Sequence, residues 1–275
     1  MEEQRLPGSA MSGAVLVDST VRRPTGPWTP AVHALLRHLE GHGFHGVPRV
    51  LGIDEQGREM LTYLPGTTVG DARPWPKWVY SHDALGQVGR WLRRYHNAVT
   101  DFVPPSDAQW WPPRRWQPGD IIMHNDSGPY NAVWEEYPGA DGRAGANTAA
   151  GDLIGFFDWD YAAPSSALRD LAFVAFSWVP LYARDVAAAD GFADFADRPR
   201  RLRHFLDAYG HQGNIDTVLD AMKVEITARA AEFQQLAAAG DPLISLLVQE
   251  GGIADLDRAL DQLTDDAASF RTTTT

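Results

Sequence analysis

The feature that most constrains the fold is residues 121–134, in which two apolar runs enclose a polar centre. The segment reads IIMHNDSGPYNAVW, so apolar residues precede and follow a loop that carries His124, Asp126 and Asn131. Buried strands at both ends hold such a loop rigidly, which suits side chains that bind or react. The fold must therefore bury both flanks and present the loop between them.

The spacing His-x-Asp-x4-Asn suits phosphoryl transfer, in which an Asp orients the acceptor hydroxyl and an Asn five residues later holds Mg²⁺. Asp158 ends a second apolar strand, in the segment LIGFFDWD, and offers another metal carboxylate. Mg²⁺ prefers oxygen ligands and takes few from protein, so Asn131, Asp158 and nucleotide phosphates would suffice. A competing interpretation is that Asp126 caps a turn and Asp158 ends a strand, with no shared role.

The segments HNDSGPYN and IGFFDWDYAAPSSALRDLAF together resemble the aminoglycoside phosphotransferase family, whose members are relatives of protein kinases. The resemblance covers most of residues 8–180 and weakens in the C-terminal helices. It implies an α+β fold of the bilobal protein-kinase type. Residues 1–65 would form a small antiparallel β-sheet lobe with one helix that binds nucleotide. Residues 66–275 would form a larger, mainly helical lobe with the catalytic loop, the metal site and the acceptor site.

The same resemblance implies roles for the matched residues. Asp126 would be the catalytic Asp, and Asn131 and Asp158 would hold Mg²⁺, with ATP or GTP as the co-substrate. His124 would brace the catalytic loop through Asp170 of the segment RDLA. Because two motifs occur at the expected distance and in the expected order, we favour this interpretation over a chance match.

The predicted nucleotide site departs from the family pattern. Kinase-like folds use a Lys on the third strand, paired with a Glu on the next helix. Arg22 stands nearest the Lys position, and Val32 or His33 stands where the Glu belongs. A Gly-x-Gly-x-x-Gly loop is replaced by PGSAMSG, whose backbone amides could still cover phosphates. Tyr63 and Leu64 would lie at the hinge that meets the nucleotide base.

Charge and composition limit the partners. The chain has 24 basic and 36 acidic residues, a net charge of -12, so a nucleic-acid partner is not expected. Such a surface favours a cationic acceptor such as an aminoglycoside, contacted by Asp160, although solubility is the commoner reason for such a charge. The chain contains 0 cysteines, which excludes disulfides and thiolate chemistry. A signal peptide and a membrane-spanning run are not evident, so we expect a cytoplasmic protein without a membrane partner.

Hydrophobic periodicity predicts strands within residues 14–23 and 47–66, and a helix that starts behind Thr29-Pro30 and stops at Gly41 and Gly43. It predicts further helices at 81–99, 166–179, 199–209, 215–239 and 253–269. Two functional hypotheses follow. The first is a Mg²⁺-dependent phosphotransferase that acts on a small-molecule hydroxyl, with antibiotic resistance as a biological role. The second is a catalytically inactive kinase-like binding or immunity protein. Retention of Asp126, Asn131 and Asp158 together favours the first, because a binding module needs none of this set.

Overall fold

The computed structural model describes residues 3–6, 13–70, 73–135 and 151–272. These residues divide into two compact units. The first unit contains the described parts of segments 1–71, 94–143 and 151–167, and the second those of 72–93 and 168–275. The predicted lobe boundary between residues 65 and 66 stays a prediction.

The first unit contains a five-stranded antiparallel sheet with the order β1-β2-β3-β5-β4. Its strands are β1 (Gln4–Arg5), β2 (Val15–Val17), β3 (Thr20–Arg23), β4 (Val50–Ile53) and β5 (Glu59–Thr62). Strands β2 and β3 form a hairpin around Asp18 and Ser19, which both have positive φ. Asp and Ser are common in tight turns, where their short polar side chains can hydrogen-bond to the nearby backbone.

Helix α1 (Thr29–Gly41) follows β3 and has one buried face. Pro30 lies in its first turn, where a missing N–H costs no hydrogen bond. Leu35, Leu36 and Leu39 are buried at helical spacing, as the periodicity predicts. The helix therefore presents one side to the core of the first unit.

Two short antiparallel ladders hold the segments with the sequence motifs. β6 (Ile121–Met123) pairs with β9 (Ala163–Ser165), and β7 (Ala132–Trp134) pairs with β8 (Leu153–Phe156). Every residue of β6 and β7 is buried, so the prediction that both flanks of the loop are buried is confirmed. The loop between β6 and β7 is thus fixed at both ends.

A close backbone contact lies just before Asp158. The Phe156 N–H donates to the carbonyl oxygen of Gly46 at 3.0 Å. A Cβ added to Gly155 would lie 1.8 Å from that oxygen, well inside van der Waals contact. Glycine at position 155 therefore allows the chain after α1 to lie directly against β8.

Helix α2 (His82–Val99) begins in the second unit and ends in the first. The Ala84 N–H donates to Ser81 Oγ at 3.1 Å, so Ser81 caps the N-terminus of this helix. The other helices are α3 (Ala167–Trp178), α4 (Arg184–Ala189), α5 (Arg198–Tyr209), α6 (Ile215–Ala238), α7 (Pro242–Gln249), α8 (Gly252–Asp265) and α9 (Ala267–Thr272). Among the described residues, no helix is both long enough and apolar enough to cross a membrane.

Candidate functional site

The loop between β6 and β7 holds the Asp126 carboxylate with uncharged hydrogen-bond donors. The Tyr130 hydroxyl donates to Asp126 Oδ1 at 2.5 Å. The Asn131 amide nitrogen donates to Asp126 Oδ2 and to its backbone oxygen, both at 2.9 Å. Asn125 has a φ of 65°, a left-handed conformation that Asn tolerates better than most residues. The carboxylate is therefore positioned by its own loop.

His124 connects this loop to the segment that follows β8. Its Nε2 lies 2.9 Å from the carbonyl oxygen of Phe157, which can only accept, so Nε2 carries the proton. Its Nδ1 is then the acceptor for the Asp126 N–H at 3.3 Å. The Phe157 N–H also donates to the carbonyl oxygen of Asn131 at 3.1 Å. His124 thus holds the loop in place through the backbone next to Asp158.

A buried guanidinium binds the acidic residues that follow β8. Arg23 Nη1 lies 2.6 Å from Asp158 Oδ1, and Nη2 lies 2.7 Å from Asp160 Oδ1. Arg23 Nε donates to Glu59 on β5. Asp158 adopts a left-handed backbone with a φ of 64°, and its side chain is 34% exposed. Arg23 therefore joins three carboxylates, of which Asp158 is the most accessible.

Glu59 is shared between Arg23 and a histidine on α1. His33 Nε2 lies 2.8 Å from Glu59 Oε2, and Glu59 is 1% exposed. Burial alone would raise the pKa of Glu59, but the His33 hydrogen bond and the Arg23 charge outweigh it, so the pKa is lowered. Arg23 on β3 therefore pairs with a carboxylate on β5, that of Glu59. Helix α1, which has no acidic residue at the position expected from the family pattern, contributes a hydrogen bond from His33 to the same carboxylate.

The cluster carries excess negative charge. One guanidinium, Arg23, faces the three carboxylates of Glu59, Asp158 and Asp160, which leaves two negative charges uncompensated when all are ionised. Burial raises the pKa of Asp160 to about 6; Arg23 opposes the shift, and the charges of Asp158 and Glu59 add to it. Burial would lower the pKa of Arg23, but the carboxylates hold it above its ordinary value. The cluster is therefore suited to an additional cation.

The structure places Arg23, rather than Arg22, beside Asp158. Arg22 points to the other side of β3, where its Nη1 lies 3.4 Å from Asp54 Oδ2. Sequence analysis missed Arg23, although alternation along a strand separates adjacent side chains. Arg23 pairs directly with Glu59 in the β3–β5 register, and only that register distinguishes it from Arg22.

The other predicted residues lie apart from this cluster or in the second unit. Tyr63 and Leu64 follow β5, and Tyr63 is exposed. Asp170 is buried in the first turn of α3, in the second unit, so its bracing of His124 stays a prediction. Residues 7–12, which include most of the predicted phosphate loop, lie outside the described residues.

Comparison of sequences identifies one informative relative. The chain is 34% identical to the trifolitoxin immunity protein of Rhizobium leguminosarum bv. trifolii over 214 residues. The match covers 76% of this chain and 74% of that protein. No protein-family model matches the chain.

Comparison of structures identifies phosphotransferases. A GDP complex of aminoglycoside 2'-phosphotransferase-IIIa superposes with a TM-score of 0.55 at 15% identity, covering 98% of this chain and 93% of that one. A gentamicin complex of another aminoglycoside phosphotransferase gives 0.54 at 13% identity, covering 96% and 91%. A choline/ethanolamine kinase family protein from Mesorhizobium loti gives 0.54 at 13% identity, covering 96% and 92%. The predicted α+β kinase-like fold is confirmed.

Proposed function

Because the chain belongs to the family of the trifolitoxin immunity protein and has the aminoglycoside phosphotransferase fold, we propose that it is a Mg²⁺-dependent phosphotransferase. It moves the γ-phosphoryl group of ATP or GTP to a hydroxyl of a small molecule. The observation that carries the proposal is that the loop holding Asp126 is hydrogen-bonded, through His124 and Asn131, to Phe157, the residue before Asp158. The GDP bound by one structural relative supports a nucleotide co-substrate.

The residues of the acidic cluster and loop fit a magnesium ion. The Asn131 amide nitrogen is used by Asp126, so the amide oxygen is the atom that would bind the metal. Arg23 takes Oδ1 of Asp158, so Oδ2 is the second candidate ligand. Both atoms are the hard oxygens that Mg²⁺ requires. When bound, Mg²⁺ would neutralise the charge of the nucleotide phosphates.

Asp126 is the group that orients the acceptor. Its carboxylate accepts hydrogen bonds from Tyr130 and Asn131, which fix its direction before any substrate arrives. A hydroxyl that donates to this carboxylate is held for attack on the γ-phosphorus. As the new P–O bond forms, the bond to the departing nucleoside diphosphate breaks, and Asp126 receives the proton of the hydroxyl. Positioning of this kind accounts for most of the catalysis in phosphoryl transfer.

Arg23 is the candidate phosphate contact of this chain. A guanidinium can bind two oxygens of one phosphate, and each Nη of Arg23 has a second N–H besides the one that it donates to Asp158 or Asp160. Arg23 thereby replaces Arg22 in our proposal for nucleotide binding. The acceptor is a small molecule, and a cationic, aminoglycoside-like compound fits the net charge of -12.

A second function is favoured by one specific observation. Arg23 already neutralises part of Asp158, and the relative at 34% identity is an immunity protein. A catalytically inactive kinase-like protein that binds a toxin would fit both facts. The phosphotransferase is preferred because Asp126, Asn131 and Asp158 are all retained and the first two are hydrogen-bonded to each other.

A two-stage experiment separates the two functions. The thermal shift of the purified protein is measured with ATP or GTP, with and without Mg²⁺, and acceptors are then screened for phosphoryl transfer. We expect Mg²⁺-dependent stabilisation that Asp158→Asn removes. Asp126→Asn should keep that stabilisation but slow transfer by about 10²–10⁴-fold. Asp107→Asn, an exposed control, should change neither property.

The outcomes are distinct. Nucleotide stabilisation without transfer to any acceptor, and without nucleotide hydrolysis, would support the inactive binding protein. Equal transfer rates for the wild type and Asp126→Asn would contradict the role of Asp126. Stabilisation that survives in Asp158→Asn would contradict the proposed metal ligand.

A further inference from the structure

Two histidines and one aspartate meet at the ends of two helices, outside the cluster around Arg23. His38 and His42 lie one turn apart at the end of α1, and Asp101 follows the end of α2. His38 Nε2 lies 3.4 Å from Asp101 Oδ1, and His42 Nε2 lies 3.4 Å from Asp101 Oδ2. All three residues belong to the first unit.

The spacing of these atoms matches the coordination shell of zinc. A tetrahedral Zn²⁺ with bonds of about 2.0–2.1 Å separates its ligand atoms by about 3.4 Å. The nitrogen and oxygen atoms of His38, His42 and Asp101 all lie within 4.8 Å of one another.

Hydrogen bonding directs one ring toward this position. His42 Nδ1 lies 2.9 Å from the carbonyl oxygen of His38, so Nδ1 must donate. In the neutral ring, the lone pair of His42 Nε2 then faces the Asp101 carboxylate, so the two acceptors need either a proton or a metal ion between them. A cation between them satisfies both. A backbone carbonyl that accepts from the second ring nitrogen is the arrangement that orients metal-binding histidines.

The end of α2 adds a candidate fourth ligand atom, a backbone oxygen. The carbonyl oxygen of Ala98 lies 2.9 Å from His38 Nε2, in the last turn of that helix. Carbonyl groups at a helix C-terminus carry partial negative charge, which attracts cations. This carbonyl accepts the Nε2 proton of His38 when no metal is bound. Metal binding displaces that proton, and the neutral ring then carries its proton on Nδ1.

We propose that His38, His42 and Asp101 form a binding site for a borderline divalent cation, with Zn²⁺ as the preferred ion. The imidazole nitrogens select zinc over Mg²⁺, which prefers oxygen ligands. The bound ion links the end of α1 to the chain after α2. Because α1 also carries His33, the hydrogen-bond partner of Glu59, the ion stabilises the helix that supports the cluster around Arg23.

Metal titration of the untagged, full-length protein tests the site independently of phosphoryl transfer. Zn²⁺ binding is measured by calorimetry in excess Mg²⁺, which occupies oxygen-rich sites. Co²⁺ then serves as a spectroscopic probe, because tetrahedral Co²⁺ absorbs strongly in the visible range. We expect one Zn²⁺ per chain and a tetrahedral Co²⁺ spectrum that Zn²⁺ abolishes.

Matched variants assign the ligands. His42→Asn and Asp101→Asn should each weaken Zn²⁺ binding at least about tenfold and abolish the Co²⁺ spectrum. Both residues are exposed, so the variants should fold, and circular dichroism checks this. His45→Asn and Asp107→Asn remove an exposed histidine and an exposed aspartate elsewhere and should bind as the wild type does. Wild-type protein that fails to bind Zn²⁺, or control variants that lose binding equally, would overturn the proposal.

Discussion

Asp126 and Asp158 belong to the same candidate site but are held in different ways. Asp126 accepts hydrogen bonds from a phenol and an amide within its own loop. Asp158 is held by Arg23, which also binds Glu59 and Asp160 from distant parts of the sequence. The first arrangement depends on local geometry, whereas the second depends on a balance of buried charge. The uncharged side of the site, around Asp126, and the charged side, around Asp158, should therefore respond differently to substitution and to pH.

The largest effect is expected from removing the charge of Arg23. Arg23→Met keeps much of the side-chain volume but leaves Glu59 buried beside two other carboxylates. Removing one partner of a buried ion pair costs about 3–5 kcal/mol, so we expect the free energy of unfolding to fall by that amount although His33 still contacts Glu59. Urea unfolding at pH 7 measures it.

Arg22→Met provides the matched control on the same strand. Arg22 contacts Asp54 at 3.4 Å, and Arg58 also binds that carboxylate at 2.9 Å. The loss should be about 1 kcal/mol or less. Equal losses of unfolding free energy in the two variants would show that the ion pairs of Arg23 contribute no more than that of Arg22. The proposed difference between the charged and uncharged sides of the site would then be wrong.

The second-largest effect is a dependence of stability on pH, which comes from the charged side of the site. The pKa of Asp160 is raised to about 6, above an unfolded value of about 3.9. A raised carboxyl pKa contributes stability below pH 4 that is lost as the pH rises through 6. Asp160→Asn removes this loss, so its stability relative to the wild type should increase by about 2 kcal/mol between pH 4 and pH 7.

Urea unfolding of both proteins at the two pH values tests this prediction. Asp107→Asn serves as the control, because Asp107 is exposed. A difference between wild type and Asp160→Asn that is the same at pH 4 and pH 7 would contradict the excess negative charge inferred for the cluster.

The smallest effect is expected on the uncharged side. Tyr130→Phe removes the hydroxyl that donates to Asp126 Oδ1 but leaves the amide of Asn131 in place. We expect a loss of about 1 kcal/mol in the free energy of unfolding. Tyr63→Phe, at an exposed tyrosine, should change stability by less than the error of the measurement. A loss for Tyr130→Phe as large as that for Arg23→Met would show that the loop depends on this hydroxyl more than its geometry indicates.

The loop side of the site was accessible to sequence analysis because its information is local. His124, Asp126 and Asn131 lie within one short segment, and apolar runs on either side predict the strands that the structure contains. The positive φ at Asn125 also has a local signal, because Asn tolerates that conformation. In such a short segment, the local backbone conformation alone determines how the side chains are arranged.

The charged side was not accessible in the same way. Arg23 meets Glu59 through the pairing of β3 with β5, and no local pattern encodes that register. Arg22 and Arg23 are chemically identical, so only strand alternation and burial distinguish them. The sequence around His33 does not indicate its role, because His33 on α1 acts through the carboxylate of Glu59 on β5.

The helices of the second unit show a similar limit. Periodicity predicted 215–239 well, and α6 is Ile215–Ala238. The segment predicted as one helix at 253–269 is divided into α8 and α9 at Asp266, and α4 and α7 were missed. Helices of six to eight residues span too few turns for an apolar stripe to stand out from chance.

The contact between Gly155 and Gly46 has a consequence for tracing the ancestry of such chains. Even an alanine methyl at position 155 would overlap the Gly46 carbonyl oxygen, so any substitution of this glycine would disrupt the backbone contact. Acidic and amide side chains can be lost when a lineage abandons catalysis, whereas this steric requirement lasts as long as the backbone arrangement does. A glycine three residues before Asp158 should therefore help to recognise distant descendants that have kept the fold but lost the chemistry.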